Sequence, residues 1–320
     1  MPNNENGSSC IDIRENDLLE LSAQVLDTLL RDHTTGKNIF WATHDYEALG
    51  PEYDYHSEIL PELITGERGM VIRPRVLKSK ENQTDRAKDM AEVFTPSWVC
   101  NAQNNLVDEA WWAVEGRTWE DYVRSTRMEI TCGEAPYLAS RYDATTGDMI
   151  PLQNRIGLLD RKLRMVSENT SSSEDWLSWA CVAYQNIYGY EWQGDNLFLA
   201  RKALFYTFIE YYQAKFETAP PMESINEIAN IISWNLWQMD GLKGVVPDTC
   251  HDVVSKHKAL PQLDLFSAEI PQESEPKVTP CPGCAEENIY KHNGKYCKIR
   301  DWVENKTIRF IDLIKKPYAK

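Results

Sequence analysis

The sequence has no run of about 18 apolar residues, so it offers no candidate for a membrane-spanning helix. Its first residues, MPNNENGSSCIDIREND, are polar and acidic and do not form the apolar stretch of a secretory signal. From these two absences we expect a cytoplasmic protein without a membrane partner. The 320 residues, of which 42% are hydrophobic, are enough for one large domain or two smaller ones with buried cores.

Positive charge is also scarce, because 34 Lys and Arg face 49 Asp and Glu and the net charge is −15. This balance argues against a protein that coats nucleic acid non-specifically. Basic residues nevertheless concentrate in residues 72–88 and in the last thirty residues. Each segment is either solvated surface charge or a surface for DNA phosphates. The candidate DNA contacts are Arg73, Arg75, Lys291, Lys295, Lys298 and Arg300.

The eight cysteines are too dispersed for a small disulfide scaffold, and we expect reduced thiols. Four residues near the C-terminus have the spacing of a metal site. A Cys-x2-Cys pair with a Pro-Gly turn, followed by a His and a Cys, can close a tetrahedral zinc site without a large core. A loop of reduced cysteines is the alternative, and an isolated Cys250-His251 pair is expected to be incidental. The predicted zinc ligands are Cys281, Cys284, His292 and Cys297.

Three short apolar runs, RMEI, NIYGYE and NIISWNLWQ, predict strands that are separated by stretches with helical periodicity. This alternation favours parallel βαβ units and an α/β fold. Ligands of such sheets bind at the carboxyl ends of the strands. The residues expected there are Glu129 with the turn at 131–135, Glu191, and Asp240.

The predicted turn after the first strand contains Cys132 and Gly133, and the glycine lets the backbone approach a bound molecule closely. A carboxylate at the second strand end, Glu191, can accept hydrogen bonds from the hydroxyls of a ribose. A third acid, Asp240, can accept a hydrogen bond from an amino group of a purine. The three strand ends together predict a binding site for an adenine nucleoside.

This arrangement resembles the S-adenosylmethionine-dependent N6-adenine DNA methyltransferases of restriction–modification systems, in particular the group called restriction subunit M. The stretch EVFTPSWVC is similar to the family's Phe-Thr-Pro loop, which packs against the cofactor. Its matching residues are Phe94, Thr95 and Pro96.

The stretch EITCGEA resembles the family's motif Asp-Pro-(Ala/Thr)-Cys-Gly-Ser-Gly, with departures at Ile130, Glu134 and Ala135. The family's small residues there admit the methionine part of the cofactor, which would explain a Cys-Gly pair at a bend. The matching positions are Glu129, Thr131, Cys132 and Gly133. By the same resemblance, Glu191 is the ribose-binding acid and Asp240 the adenine-contacting acid.

The resemblance covers residues 90–243 and implies a Rossmann-like methyltransferase core, an α/β fold whose sheet need not be complete. It also implies S-adenosylmethionine as cofactor and DNA as partner, with a restriction or methyltransferase subunit as a further partner. We expect this core at residues 90–245. A helical and mixed segment is predicted at 1–89, a linker at 246–280 and a basic Cys/His tail at 281–320.

The family's acceptor motif, Asn/Asp-Pro-Pro-Tyr/Phe, does not follow Asp240. The nearest stretches are Pro317-Tyr318, which two lysines precede, and TAPPM at 218–222. Two functions therefore stay open. The chain is an adenine methyltransferase whose acceptor motif diverges or comes from a partner, or it is an inactive relative, such as a phage-encoded accessory or decoy. A nucleoside-dependent oxidoreductase is a third alternative, without the full Gly-x-Gly-x-x-Gly fingerprint.

Overall fold

The computed structural model describes residues 15–89, 92–255 and 277–314. The helices are α1 (Glu15–Leu21), α2 (Ala23–Leu30), α3 (Pro61–Ile64), α4 (Lys80–Asp89), α5 (Ser97–Trp112), α6 (Trp119–Arg124), α7 (Leu158–Asn169), α8 (Ser173–Gln185), α9 (Gly194–Phe216), α10 (Met222–Asn235) and α11 (Pro282–Ala285). The strands are β1 (Arg127–Glu129), β2 (Ile187–Glu191), β3 (Leu236–Gln238), β4 (Val253–Ser255), β5 (Lys277–Thr279), β6 (Lys298–Asp301) and β7 (Lys306–Arg309).

Each of the three apolar runs contains one strand of a parallel sheet with the order β1-β2-β3. In the third run, however, residues 230–235 belong to α10, and only Leu236–Gln238 is strand. Met128 lies opposite Tyr188, and Gly189 lies opposite Leu236. The pairs β4–β5 and β6–β7 are antiparallel. The expectation of a mixed helix-and-strand fold with a small parallel sheet is confirmed at this level.

The core lies between the parallel sheet and the helices that connect its strands. Helix α9 contacts α2, α7, α10, β2 and β3, and most of its side chains are buried. This burial on all sides explains why its sequence is apolar and aromatic around the whole helix. Among the described residues, no helix combines the length and the apolar character that crossing a membrane requires.

A second, smaller core joins the C-terminal residues to β2 and β3. Tyr190 and Trp237 pack there with Cys297 and Ile299, and Phe310 covers them. Within the segment expected as a linker, Val246 donates its N–H to the carbonyl of Lys295 in the tail, and β4 pairs with β5. Residues 256–276 of that linker lie outside the described residues.

Arg201, in α9, is fully buried and holds the starting point of β3. Its guanidinium donates five hydrogen bonds of 2.6–3.1 Å to carbonyl groups at the ends of α2 and α10 and at the start of β3. Helix C-termini carry partial negative charge and unpaired carbonyls, so a cation there replaces the missing donors. Burial lowers the pKa of Arg201 to about 10, which keeps the side chain charged at neutral pH.

Lys162, in α7, plays the same part for β1 and β2. Its Nζ donates to Val123 at 3.0 Å, to Ser125, and to Asn186 at 3.2 Å. These carbonyls close α6 and α8, the helices that lead into β1 and β2. Burial lowers the pKa of Lys162 well below its ordinary value. The strand starts are therefore held by two buried basic side chains that donate to backbone oxygen atoms.

We expect Arg201→Met to lower the free energy of unfolding by about 3 kcal/mol, because it leaves buried carbonyl groups without a donor. Lys215→Met is the matched control, since this lysine lies on the same helix but is exposed and bonds one carbonyl. It should cost less than about 0.5 kcal/mol. Denaturant unfolding of both variants checks this, and equal losses would contradict the role given to Arg201.

Candidate functional site

A cavity of about 1010 Å³ opens at the carboxyl ends of β1 and β2. Its floor is the turn that follows β1, and its walls come from residues 92–95, from α5 and from residues 191–193 after β2. His44 and Tyr55, from the N-terminal segment, complete the lining. The cavity thus lies where the sequence predicted a ligand site.

The turn after β1 is held by a hydrogen bond between strand ends. The N–H of Gly133 donates to Oε2 of Glu191 at 2.8 Å. Gly133 has φ +53, a left-handed conformation that glycine adopts without a Cβ clash, and the ring of Phe94 lies just below it. The predicted bend at Cys132-Gly133 therefore faces the cavity, next to the predicted acid of the second strand.

Glu191 lies at the end of β2 and is only 8% exposed. Its Oε1 accepts the N–H groups of Trp192 at 2.9 Å and Gln193 at 3.2 Å. A carboxylate has about four acceptor positions, so about one remains for a ligand hydroxyl. Burial raises the pKa of Glu191, whereas these backbone bonds favour the ionised form.

Three further oxygen atoms belong to residues that line the cavity, are themselves buried, and have no hydrogen-bond partner among the described residues. They are Oε1 of Glu92, Oε2 of Glu129 and Oδ1 of Asn196. Arg75 Nε lies 3.9 Å from the first of these atoms, which is too long for a hydrogen bond. A buried acceptor without a partner is costly, so the cavity favours a ligand that brings hydrogen-bond donors.

A buried network of charged side chains holds two residues of the cavity lining, Glu92 and Gln193. Arg86 is 1% exposed and donates to Glu92 at 2.7 Å and to Gln193 at 2.6 Å. Burial alone would raise the pKa of Asp195, but Arg86 and Lys78 beside it hold that pKa below its ordinary value. Sequence reasoning missed this network, because its members are dispersed polar residues without a motif.

The structure brings together most of the residues predicted to bind a cofactor. Pro96 is not among the lining residues and instead caps α5. The predicted residues that line the cavity are Phe94, Thr95, Glu129, Thr131, Cys132, Gly133 and Glu191.

The placement of Asp240 at the cavity is wrong. Strand β3 ends two residues earlier, at Gln238, and Asp240 begins a tight turn in which its Oδ1 accepts the N–H groups of Leu242 and Lys243. Gln238 occupies the strand end instead. Its Nε2 donates to the carbonyls of Trp192 at 2.8 Å and Phe40 at 2.9 Å.

A second candidate site is a cluster of three cysteines and one histidine near the C-terminus, and it could hold a metal ion such as zinc. Cys250 Sγ lies 3.3 Å from Cys281 Sγ, 3.6 Å from Cys284 Sγ and 3.4 Å from His292 Nδ1. A tetrahedral zinc ion with ordinary bond lengths would place such atoms about 3.5–3.8 Å apart. The four atoms therefore fit the corners of a tetrahedral site.

The sequence prediction named Cys297 as the fourth ligand, but the structure places Cys250 in the cluster instead. Cys297 is fully buried in the small core and its thiol donates to the carbonyl of Gln238 at 3.3 Å. Cys250, which precedes Cys281 by 31 residues in the chain, supplies the fourth ligand atom. The predicted Pro-Gly turn does lie between Cys281 and Cys284. A Cβ on Gly283 would come within 2.5 Å of His292, so only glycine fits there.

The candidate DNA contacts lie in different environments. Arg73, Lys295 and Lys298 are exposed, whereas Lys291 forms an ion pair with Glu286. Arg300 is partly buried, lies over two tryptophan rings and donates to Asn305. The side chain of Arg75 is only 18% exposed and its guanidinium lies 5.3 Å from the Phe94 ring centroid, so it packs against a cavity-lining residue rather than lying on an open surface.

No protein-family model, curated protein or solved structure matches the chain.

We expect Cys250→Ser to remove stoichiometric metal, because serine replaces one of the four ligand atoms. Cys297→Ser should retain the metal, since its thiol lies in the small core and not in the cluster. Elemental analysis of both purified variants, with thermal unfolding to verify folding, checks this. If Cys250→Ser retained the metal and Cys297→Ser lost it, Cys297 rather than Cys250 would be the fourth ligand, as the sequence predicted.

Proposed function

We propose that the chain is an S-adenosylmethionine-binding protein of the N6-adenine DNA methyltransferase type, with a Rossmann-like core in residues 90–245. One observation carries the proposal: the Gly133 turn and Glu191 meet at the strand ends, over a cavity that contains buried acceptors without donors. The resemblance of the flanking motifs points to the same ligand. The parallel sheet of this core has three strands among the described residues, which is fewer than a complete Rossmann sheet has.

The chemistry of the cavity fits this cofactor. Its volume suits a small-molecule site. S-adenosylmethionine brings an ammonium group, ribose hydroxyls and an adenine amine, which are the donors that Glu92, Glu129 and Asn196 lack. The sulfonium and ammonium charges also match Glu191 and an ionised Glu129 in the wall, whereas Glu92 is already paired with Arg86 and Lys88 is a cation of the same lining. When bound, the cofactor supplies the methyl group.

Each end of the cofactor has a candidate position. Gly133 and Phe94 would face the methionine part, as in the family that the sequence resembles. The remaining acceptor position of Glu191 would take a ribose hydroxyl. Trp192 donates through Nε1 to the Tyr55 hydroxyl at 2.9 Å, and this aromatic pair forms the wall beside the adenine.

An inactive accessory that binds the cofactor is the second candidate function. What favours it is the composition of the cavity lining, in which no Pro-Pro-aromatic run occurs among the described residues. Pro220 and Pro221 lie just before α10, and Pro317-Tyr318 lies outside the described residues. Transfer of tritiated methyl groups to unmethylated DNA separates an enzyme from an accessory.

We further propose that the Cys/His cluster binds zinc as a structural ion. Four protein ligands leave no open position for water or substrate, which is typical of structural rather than catalytic zinc. The ion would join Cys250 to the tail that carries Lys295 and Lys298, both exposed. A rigid, basic tail of this kind is the part of the chain best suited to contact DNA phosphates.

Isothermal titration with S-adenosylmethionine tests the cofactor proposal. We expect wild-type protein to bind, and Glu191→Ala to bind at least about tenfold more weakly, because it removes a charged acceptor and releases the Gly133 turn. Asp240→Ala is the control, since its carboxylate serves a turn outside the cavity, and its affinity should stay within about twofold. Wild-type protein that gives no binding heat would contradict the proposal.

The affinity should also depend on pH through Glu129. Burial raises the pKa of this carboxyl well above its ordinary value, so the free protein keeps a proton there up to a higher pH than an exposed glutamate does. A cationic ligand favours the ionised form, so binding should release this proton and tighten as pH rises, by at most about tenfold per unit. Titration in buffers of different ionisation enthalpy measures the release, which Glu129→Gln should abolish. Binding that weakens with rising pH would contradict this.

A further inference from the structure

We propose that the outer face of α5 is an interface between two copies of this chain, which pack their α5 helices antiparallel across a two-fold axis. The surface consists of four exposed side chains, here called the α5 row: Trp98, Ala102, Leu106 and Ala110. The inference stands independently of the proposed function, because none of these four residues lines the cavity.

Helix α5 is attached to the rest of the chain through its polar side. Asn104, which is 2% exposed, donates to the carbonyls of Tyr137 and Ile156, at 3.1 Å each. Farther along the helix, Asp108 accepts a hydrogen bond of 2.7 Å from Arg161. These polar contacts position the helix, and the apolar side chains of the α5 row take no part in them.

The α5 row is a continuous apolar ridge on the helix surface. Its members follow one another at intervals of four residues, so they lie on one i±4 row. Trp98 is 73% exposed and Leu106 is 65% exposed, and both alanines of the row are exposed as well. Single exposed apolar residues are ordinary, whereas a contiguous apolar patch is typical of a protein–protein contact.

The sizes of these side chains are self-complementary. A two-fold axis level with Asn104, at the middle of the row, places Trp98 of one copy beside Ala110 of the other. The same axis places Ala102 beside Leu106. Each large side chain then meets a small one, so two such rows can pack closely, with the helices crossing at about −50°. A contact that one surface makes with itself favours a second copy as the occupant.

The charges near the row also permit two copies to approach. The net charge of −15 makes copies repel each other over most of their surface, but residues 97–107 contain no charged side chain. Asp108 is paired with Arg161. Across the two-fold axis, the two copies of Glu109 would lie about 15 Å apart, where salt largely screens their repulsion.

The contact is small, so the dimer should be weak. Helix α5 has 16 residues and is about 24 Å long, and one helix pair of that length buries less than the standard interface of about 1,600 Å². We therefore expect a dissociation constant of about 10–100 µM. Gln103 and Val107, on the neighbouring face of α5, line the cavity, so the dimer would bring two cavities close to its axis.

Sedimentation velocity over a concentration series, with a reductant that prevents disulfides, tests the interface on the full-length protein. We expect wild-type protein to show a monomer–dimer equilibrium. Leu106→Lys should weaken the dimer at least about tenfold, because the interface receives the added charge twice. Leu242→Lys is the matched control, since Leu242 is 91% exposed in the turn after β3, and its dimer should stay within about twofold of wild type. Thermal unfolding verifies that both variants fold.

An exchange of sizes tests the antiparallel register. Trp98→Ala removes the large member of a pair, and Ala110→Trp sets two tryptophans against each other, so each change alone should weaken the dimer about tenfold. The double variant restores one large and one small side chain in each pair and should return to within about threefold of wild type. An unspecific attraction between exposed rings predicts instead that Ala110→Trp alone strengthens the dimer.

Three results would overturn the proposal. The first is wild-type protein that stays monomeric up to its highest soluble concentration, which is also the result if residues of the same chain cover the row. The second is a dimer that Leu106→Lys leaves intact, because the contact then lies on another surface. The third is a dimer that the double variant does not restore, because the helices then do not pack in the proposed orientation.

Discussion

Two buried basic side chains hold the places where the parallel sheet begins. Lys162 binds carbonyls at the ends of the helices before β1 and β2, and Arg201 does so before β3. A charge in the interior is stable only where oxygen atoms surround it, and helix C-termini provide such oxygens in a fixed direction. The strands therefore start in register, and their carboxyl ends meet at a common edge where Glu191 reaches the Gly133 turn.

The two ends of the sheet have opposite electrostatic character. Basic side chains donate to the helix ends where the strands start, whereas carboxylates and residues with unpaired buried oxygens line the cavity where the strands end. Nε and Nη2 of Arg127, at the start of β1, are also buried without partners, so unpaired atoms are not confined to the cavity. A carboxylate-rich cavity at the strand ends is nevertheless typical of a surface shaped for a ligand.

The sequence predicted those features that depend on local pattern. Apolar runs located the three strands and α9, and the Cys132-Gly133 bend and Glu191 lie at the cavity because each follows directly from a strand. Asp240 was misplaced because β3 ends at Gln238 and Asp240 already belongs to the turn that follows the strand. Cys250 was missed because the chain returns to the cluster after a long separation. Lys162 and Arg201 look like surface charges in a sequence, and only their carbonyl partners reveal otherwise.

Gln238 forms hydrogen bonds with three separate segments of the chain. Its side chain bonds both the N–H and the carbonyl of Phe40 and also the carbonyl of Trp192, while its own carbonyl receives the thiol of Cys297. The side-chain amide thus connects segments that lie almost 200 residues apart in the chain, and the backbone carbonyl of the same residue connects the tail to them. The N-terminal segment, the cavity wall and the cysteine-bearing tail cannot pivot independently here, so a displacement that begins in any one of them is transmitted to the other two.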